Sequence, residues 1–248
     1  MKLTPELIAQ ATSSLNPLKE RQLDLRGLQI PAIENLGATR DQHDSIDFTD
    51  NSISVLGNLP LVRRLRTLHL GNNRVMSISP NLHLSCPGLN TLVLTNNNIG
   101  QLGDLEPLRE LRYLQYLSLI GNPVREQRYY REWLIFRCKS LRVLDFQRIR
   151  DKERKQAEAL FLTADGLETA LATQLAATVT TNAAKAAVAA TLDEPRVGGA
   201  SGVSTGKAGR LMTAEEKARI KAAIAKAASA EEIKQLERSL REGWVPDG

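Results

Sequence analysis

Leu65-x-x-Leu68-x-Leu70-x-x-Asn73-x-Val75 recurs as Leu89-x-x-Leu92-x-Leu94-x-x-Asn97-x-Ile99, and again as Leu114-x-x-Leu117-x-Leu119-x-x-Asn122-x-Val124. Toward the N-terminus lies a looser copy, Ile46-x-Phe48-x-x-Asn51-x-Ile53. A first copy, Leu23-x-Leu25-x-x-Leu28-x-Ile30, lacks the asparagine. The asparagines step by 22, 24 and 25 residues, which is the period of leucine-rich repeats. Alternating leucines turn inward along a short strand, and a slip of one residue would expose them all. The asparagine at the following bend can bond backbone groups that the turn leaves unpaired. The expected fold is therefore α/β: a leucine-rich-repeat solenoid with a short parallel sheet on its concave face.

An open solenoid core needs closing at both ends. At the front, Thr4 and Pro5 read as N-cap and first turn of a helix, with Leu3 and Ile8 as a hydrophobic staple. At the back, Tyr130, Trp133 and Leu134 form the stripe of a capping helix, where core packing is a better use of Trp133 than ligand stacking. Leu141-x-x-Leu144-x-Phe146 then reads as a last strand with its apolar residues inward. The capped domain is expected over 1–165. Residues 166–210 read as an Ala/Thr-rich, then Gly/Ser-rich linker, partly helical or disordered. Residues 211–248 carry two capping boxes, Thr213-x-x-Glu216 and Ser229-x-x-Glu232, and read as a small helical hairpin tail.

The chain has 33 Lys and Arg against 28 Asp and Glu, a formal +5. Arg125 to Lys155 holds 11 basic and 5 acidic residues, so the excess sits in the closing cap, a pointer to a polyanionic partner. Cys86 and Cys138 lie 52 residues apart and make neither a disulfide framework nor a zinc knuckle. No segment approaches the roughly 18 apolar residues of a membrane span, and the first residues hold no signal-like apolar run. The chain reads as soluble and intracellular, with no membrane partner.

Little in the sequence suggests chemistry. His43, His69 and His83 have no ligand spacing, so no metal or other cofactor is expected. Phosphate-loop and nucleophile-elbow motifs are absent. A triad would need His69, Asp47 and Ser118 from separate strands. Neither an enzyme nor a small-molecule substrate is expected. The informative residues are those between the leucines, which face the concave side: Asp24 and Arg26, Asp47 and Thr49, His69 and Gly71, Val93 and Thr95, Ser118 and Ile120, Asp145 and Gln147. The row passes from charged at one end to apolar at Val93 and Ile120, the form of a groove for a helix or another domain.

Several segments go beyond the generic repeat. Met1-Lys2-Leu3-Thr4-Pro5-Glu6-Leu7-Ile8, Leu23-Asp24-Leu25-Arg26-Gly27, the block from Ile30 to Thr39, Asp47-Phe48-Thr49-Asp50-Asn51, Leu94-Thr95-Asn96-Asn97 and Val143-Leu144-Asp145-Phe146-Gln147, followed by Lys152-Glu153-Arg154, resemble the leucine-rich-repeat family of the U2 small nuclear ribonucleoprotein. The resemblance is close over about 1–165 and weaker from Ile220 to Pro246. It implies a nuclear, non-catalytic splicing scaffold. Its concave face (Asp24, Asp47, Thr49, His69, Val93, Thr95, Ser118, Ile120 and Asp145) would hold a helix of an RNA-recognition-motif partner of B-double-prime type. The pair would bind a U2 snRNA stem-loop among other spliceosomal proteins. In that family the repeat protein lies against the RNA stem, which makes Arg26, Arg150, Lys152 and Arg154 candidates for phosphate contacts. A competing reading is a leucine-rich-repeat adaptor of the phosphatase-regulator or dynein-subunit type, which binds no RNA.

Overall fold

A computed structural model describes residues 2–163 and 165–180. In chain order the regular elements begin with α1 (Pro5–Gln10), β1 (Thr12–Leu15), β2 (Arg21–Asp24), β3 (Ser45–Asp47) and β4 (Val55–Leu56). They continue with β5 (Thr67–His69), β6 (Ser77–Ile78), α2 (Leu82–Ser85), β7 (Thr91–Val93) and β8 (Tyr116–Ser118). The closing elements are α3 (Tyr130–Arg137), β9 (Val143–Leu144), β10 (Gln147–Arg148), α4 (Asp151–Phe161) and α5 (Ala170–Ala177). Short 3-10 helices, Leu36–Thr39, Leu102–Glu110 and Pro123–Glu126, carry the chain back on the far side of the sheet.

The repeat fixes the sheet. Strands run in the order β1-β2-β3-β5-β7-β8-β9-β10, parallel from β2 to β9 and antiparallel at both ends. Leu23, Ile46, Leu68, Leu92, Leu117 and Leu144 stand opposite one another on successive strands, and all six are buried. Each asparagine does more than close its own bend. Asn73 Oδ1 accepts the Ile53 N–H at 3.0 Å, one repeat earlier, while Nδ2 donates to Phe48 O at 2.9 Å and to Leu70 O at 3.2 Å. Asn51, Asn97 and Asn122 repeat the pattern toward Ile30, Val75 and Ile99. Buried polar backbone is thus satisfied from repeat to repeat, as burial demands.

The caps form where the sequence places them. Thr4 Oγ1 accepts the Leu7 N–H at 3.3 Å, and Leu3 and Ile8 are buried beneath α1. Trp133 is fully buried. Its ring meets Phe161 edge-on at 5.3 Å and its Nε1 donates to Leu102 O at 3.2 Å, so it packs the core. Cys86 and Cys138 are free and buried, their thiols pushed up to about 12 by desolvation.

Three features differ from expectation. The β1–β2 hairpin edges the sheet, although the first repeat suggested a single strand there. Phe146 is not in the core. It is 78% exposed at the two-residue turn joining β9 to β10, where Asp145 and Phe146 have φ of +51° and +61°. The primed hairpin turn that the strands' twist prefers flips it outward. Finally, the domain does not stop at 165. Thr169 caps α5, Ala172 is buried, and Thr178 O accepts the Gly103 N–H at 2.9 Å. Among the described residues, the strap from Thr169 to Thr180 therefore packs on the repeats. The Gly/Ser-rich stretch and the expected helical tail lie outside the described residues. Among the described residues no helix is long and apolar enough to cross a membrane.

Candidate partner-binding face

One face of the sheet is sealed by the leucines and the other is open. In register across it run Asp24, Asp47, His69, Val93 and Ser118. Two residues earlier on each strand the same face shows a second row: Gln22, Ser45, Thr67, Thr91, Tyr116 and Val143. The sequence reading took only the first row. Period-two alternation was the available signal for the second.

At the β7–β9 end the rows border an open hollow of about 470 Å³, lined by Leu18, Thr91, Val93, Tyr116, Val143 and Phe146 among others. Leu18 comes from the β1–β2 turn and Phe146 from the β9–β10 turn, and they are 77% and 78% exposed. Apolar groups of that size facing solvent inside a polar frame mark an interaction surface. Within the hollow, Ser118 is buried and its hydroxyl lies 3.1 Å from Thr95 Oγ1. Ile120 is half-buried and follows Ser118 by two residues, outside the lining of the hollow.

At the β2–β3 end the face is charged. Arg26 forks onto Asp24 at 2.6 and 3.0 Å and stands 3.7 Å from Asp47. The fork holds the Asp24 carboxyl below its usual range and raises Arg26. Asp47 also accepts the Thr49 N–H at 2.9 Å. One arginine between two carboxylates leaves this end acidic, so Arg26 belongs to the sheet face. It sits at the opposite end of the strand order from Arg150, Lys152 and Arg154, so the four cations do not form one site. His69 is flanked by Asp47 and Val93, while Ser118 is two strands away, roughly 10 Å, which rules out a hydrogen-bonded triad. Among the described residues no group of three His, Cys, Asp or Glu side chains could hold a metal.

Two expected contact residues are engaged elsewhere. Asp145 Oδ1 accepts the Leu119 N–H at 2.7 Å and Oδ2 accepts the Tyr130 hydroxyl at 2.9 Å. Its side chain is only 8% exposed, so it secures the closing cap and does not line the groove. Burial, and then the Asp145 carboxylate, push the Tyr130 phenol up. Arg154 donates to Lys139 O at 3.2 Å and to Leu141 O, which leaves it half-withdrawn. Arg150 and Lys152 remain exposed beside a polar hollow of about 880 Å³ shared with Arg131 and Arg148. Arg131 itself is taken by Glu153 at 2.7 Å, which lowers that carboxyl.

Comparisons with known proteins fit this construction. The Leucine-rich repeat family model matches residues 1–176, into α5. The chain is 47% identical over 243 residues to the U2 small nuclear ribonucleoprotein A' of Mycosarcoma maydis, covering 98% of both chains. It is 43% identical to that of Schizosaccharomyces pombe, covering 99% of this chain and 100% of the other. Among solved structures, the Drosophila melanogaster SNF/U2A' complex contains a chain 49% identical at a TM-score of 0.65, covering 67% of this chain and 95% of that one. This chain belongs to the U2 small nuclear ribonucleoprotein A' family of leucine-rich-repeat proteins, a non-catalytic splicing family.

Proposed function

We propose that the chain is a nuclear spliceosomal scaffold that seats a helix of an RNA-recognition-motif protein of B-double-prime type in its open sheet face. So paired, it helps that partner bind a U2 snRNA stem-loop. The observation that carries this reading is the apolar hollow of Val93, Tyr116, Val143 and Phe146 within a polar frame. The solved relative is itself a complex, SNF with U2A', which supports a protein partner.

The division of labour follows from chemistry. An RNA-recognition motif reads bases with its sheet, so a partner gripped by its helical side keeps that sheet free. The acidic end around Asp24 and Asp47 suits a cation on the incoming helix and sets its direction. The cap cations Arg150 and Lys152 can add affinity through phosphates without base preference.

The test replaces Val93 and Ile120 with Asp. Each new charge would sit unpaired in a desolvated groove, at a cost of about 2–5 kcal/mol of binding. Neither side chain enters the core, so the melting temperature is expected to hold. Capture of the RNA-recognition-motif partner at wild-type level by the double variant would refute the groove.

A further inference from the structure

The loops that lead into the strands carry charge of their own. Arg66 N donates to Asp44 O, Asn90 N to Arg66 O, Gln115 N to Asn90 O, and Arg142 N to Gln115 O, each at 2.8 Å. These residues therefore stand on successive rungs, and at about 4.8 Å per rung Arg66 and Arg142 are roughly 14 Å apart. One step earlier on the chain, Ser140 Oγ donates to Leu111 O at 3.2 Å and to Leu114 O at 2.9 Å, which lays the Lys139 loop on the Arg112 loop. Asn90 Nδ2 donates to Tyr113 O at 3.2 Å.

Arg63, Arg66, Arg112, Lys139 and Arg142 are all exposed on this rim. Among the described residues none of the five has an acidic side chain within ion-pairing distance. The nearby acids are occupied: Asp44 holds Arg64 at 2.7 Å, and Asp41 accepts the Arg63 and Arg64 N–H groups at 3.1 Å. Tyr113 follows Arg112 on this rim and is 63% exposed.

We propose that this strand-entry rim binds the phosphodiester backbone of RNA. Cations gathered on one rim without ion pairs repel one another, and a polyanion relieves that repulsion. A duplex presents about one charge per 1.7 Å of axis, so a rim of this length spans about eight phosphates. Arginine forks suit phosphate oxygens, and an exposed tyrosine offers a face for stacking on a base or ribose. An acidic protein would be a poorer occupant, because stable protein interfaces need an apolar centre and cations dominate this rim.

The inference rests on the reading that the chain works beside RNA, and it adds a contact on the repeats, apart from the Arg150–Lys152 cap. The full chain, without its protein partner, is titrated into a labelled RNA duplex of arbitrary sequence, about 20 base pairs long, across a salt series. Changing Arg66, Arg112 and Arg142 together to Gln is expected to weaken binding at least tenfold at low salt. It should flatten the dependence of log affinity on log salt by about 2 to 3, at roughly 0.7–0.9 per contact. Arg150→Gln with Lys152→Gln should change both less. A rim variant with wild-type affinity and slope, or a wild-type chain that does not bind the duplex, overturns the proposal. Either result leaves the groove intact, since that is tested by capture of the partner without RNA, and a thermal melt confirms that the variants are folded.

Discussion

Phe146 holds a backbone conformation that a bulky side chain rarely adopts, φ +61°, and presents its ring to water. Both features cost stability, and such strain persists where the surrounding structure imposes it and function uses it. Phe146→Asn separates the two effects, because asparagine tolerates left-handed backbone and carries no ring. The variant is expected to melt at or above the wild-type temperature while losing partner capture by tenfold or more. Unchanged capture would remove Phe146 from the groove. Leu94 makes the opposite case. It is fully buried, so Leu94→Ala should cost about 2–5 kcal/mol through lost burial and the cavity left behind. Binding should then fall only in step with the fraction folded, measured by chemical denaturation and capture on the same samples.

Among the elements, those with a repeating pattern were legible in the sequence and those without one were not. The period places Leu68, Leu92 and Leu117 in the core and the asparagines at the bends. It says nothing of β1, whose four residues are all exposed and show no buried face to read. The Ala/Thr composition of α5 resembles a linker because small side chains carry little amphipathic signal. Its docking depends instead on close approach. A Cβ at Gly103 would collide with Thr178 O and fall 2.6 Å from Ala176 O. Gly103→Ala should therefore detach the strap, opening residues after Phe161 to limited proteolysis while the repeats stay protected.

The strap's polar anchors give it a pH limit. Thr180 donates its N–H and hydroxyl to the buried Asp104 at 3.0 and 2.8 Å. Arg137 binds Glu168 at 2.6 Å and lies 2.9 Å from Glu106. Arg137 holds the Glu168 carboxyl below its ordinary range. That contribution is complete above the unfolded value of about 4.3 and is lost as the pH falls through the lower folded value. Buried Glu106, raised by desolvation, takes up its proton first. Proteolysis of the strap is thus expected to rise as the pH falls below about 4.3, and release near neutrality would show that the Arg137–Glu168 pair does not anchor it.

At the scale of the whole molecule, the two cysteines report whether the solenoid opens as a unit. Cys86 lies beside α2 in the middle and Cys138 at the closing cap, both buried with thiols held near 12. The thiolate is the reactive form, so neither should react with iodoacetamide at pH 8 while the protein is folded. In rising urea both should be labelled at one midpoint. Earlier labelling of Cys138 would mean that the cap frays before the repeats, as a nearest-neighbour stack allows.

The asparagine network has a direction. Asn51, Asn73, Asn97 and Asn122 each accept the N–H of a residue 20 to 23 positions earlier, Ile30, Ile53, Val75 and Ile99. No coil of the spiral can therefore complete itself; its last backbone partner arrives only with the next coil. On a ribosome, where the chain emerges from its N-terminus at some 5–20 residues per second, each coil waits seconds at most for that partner. The debt moves forward until Asp145, accepting from Leu119 and Tyr130, settles it at the cap. A nascent chain halted just after Val124 would carry a finished beginning and an unfinished end, which makes the closing cap the moment at which synthesis yields a native protein.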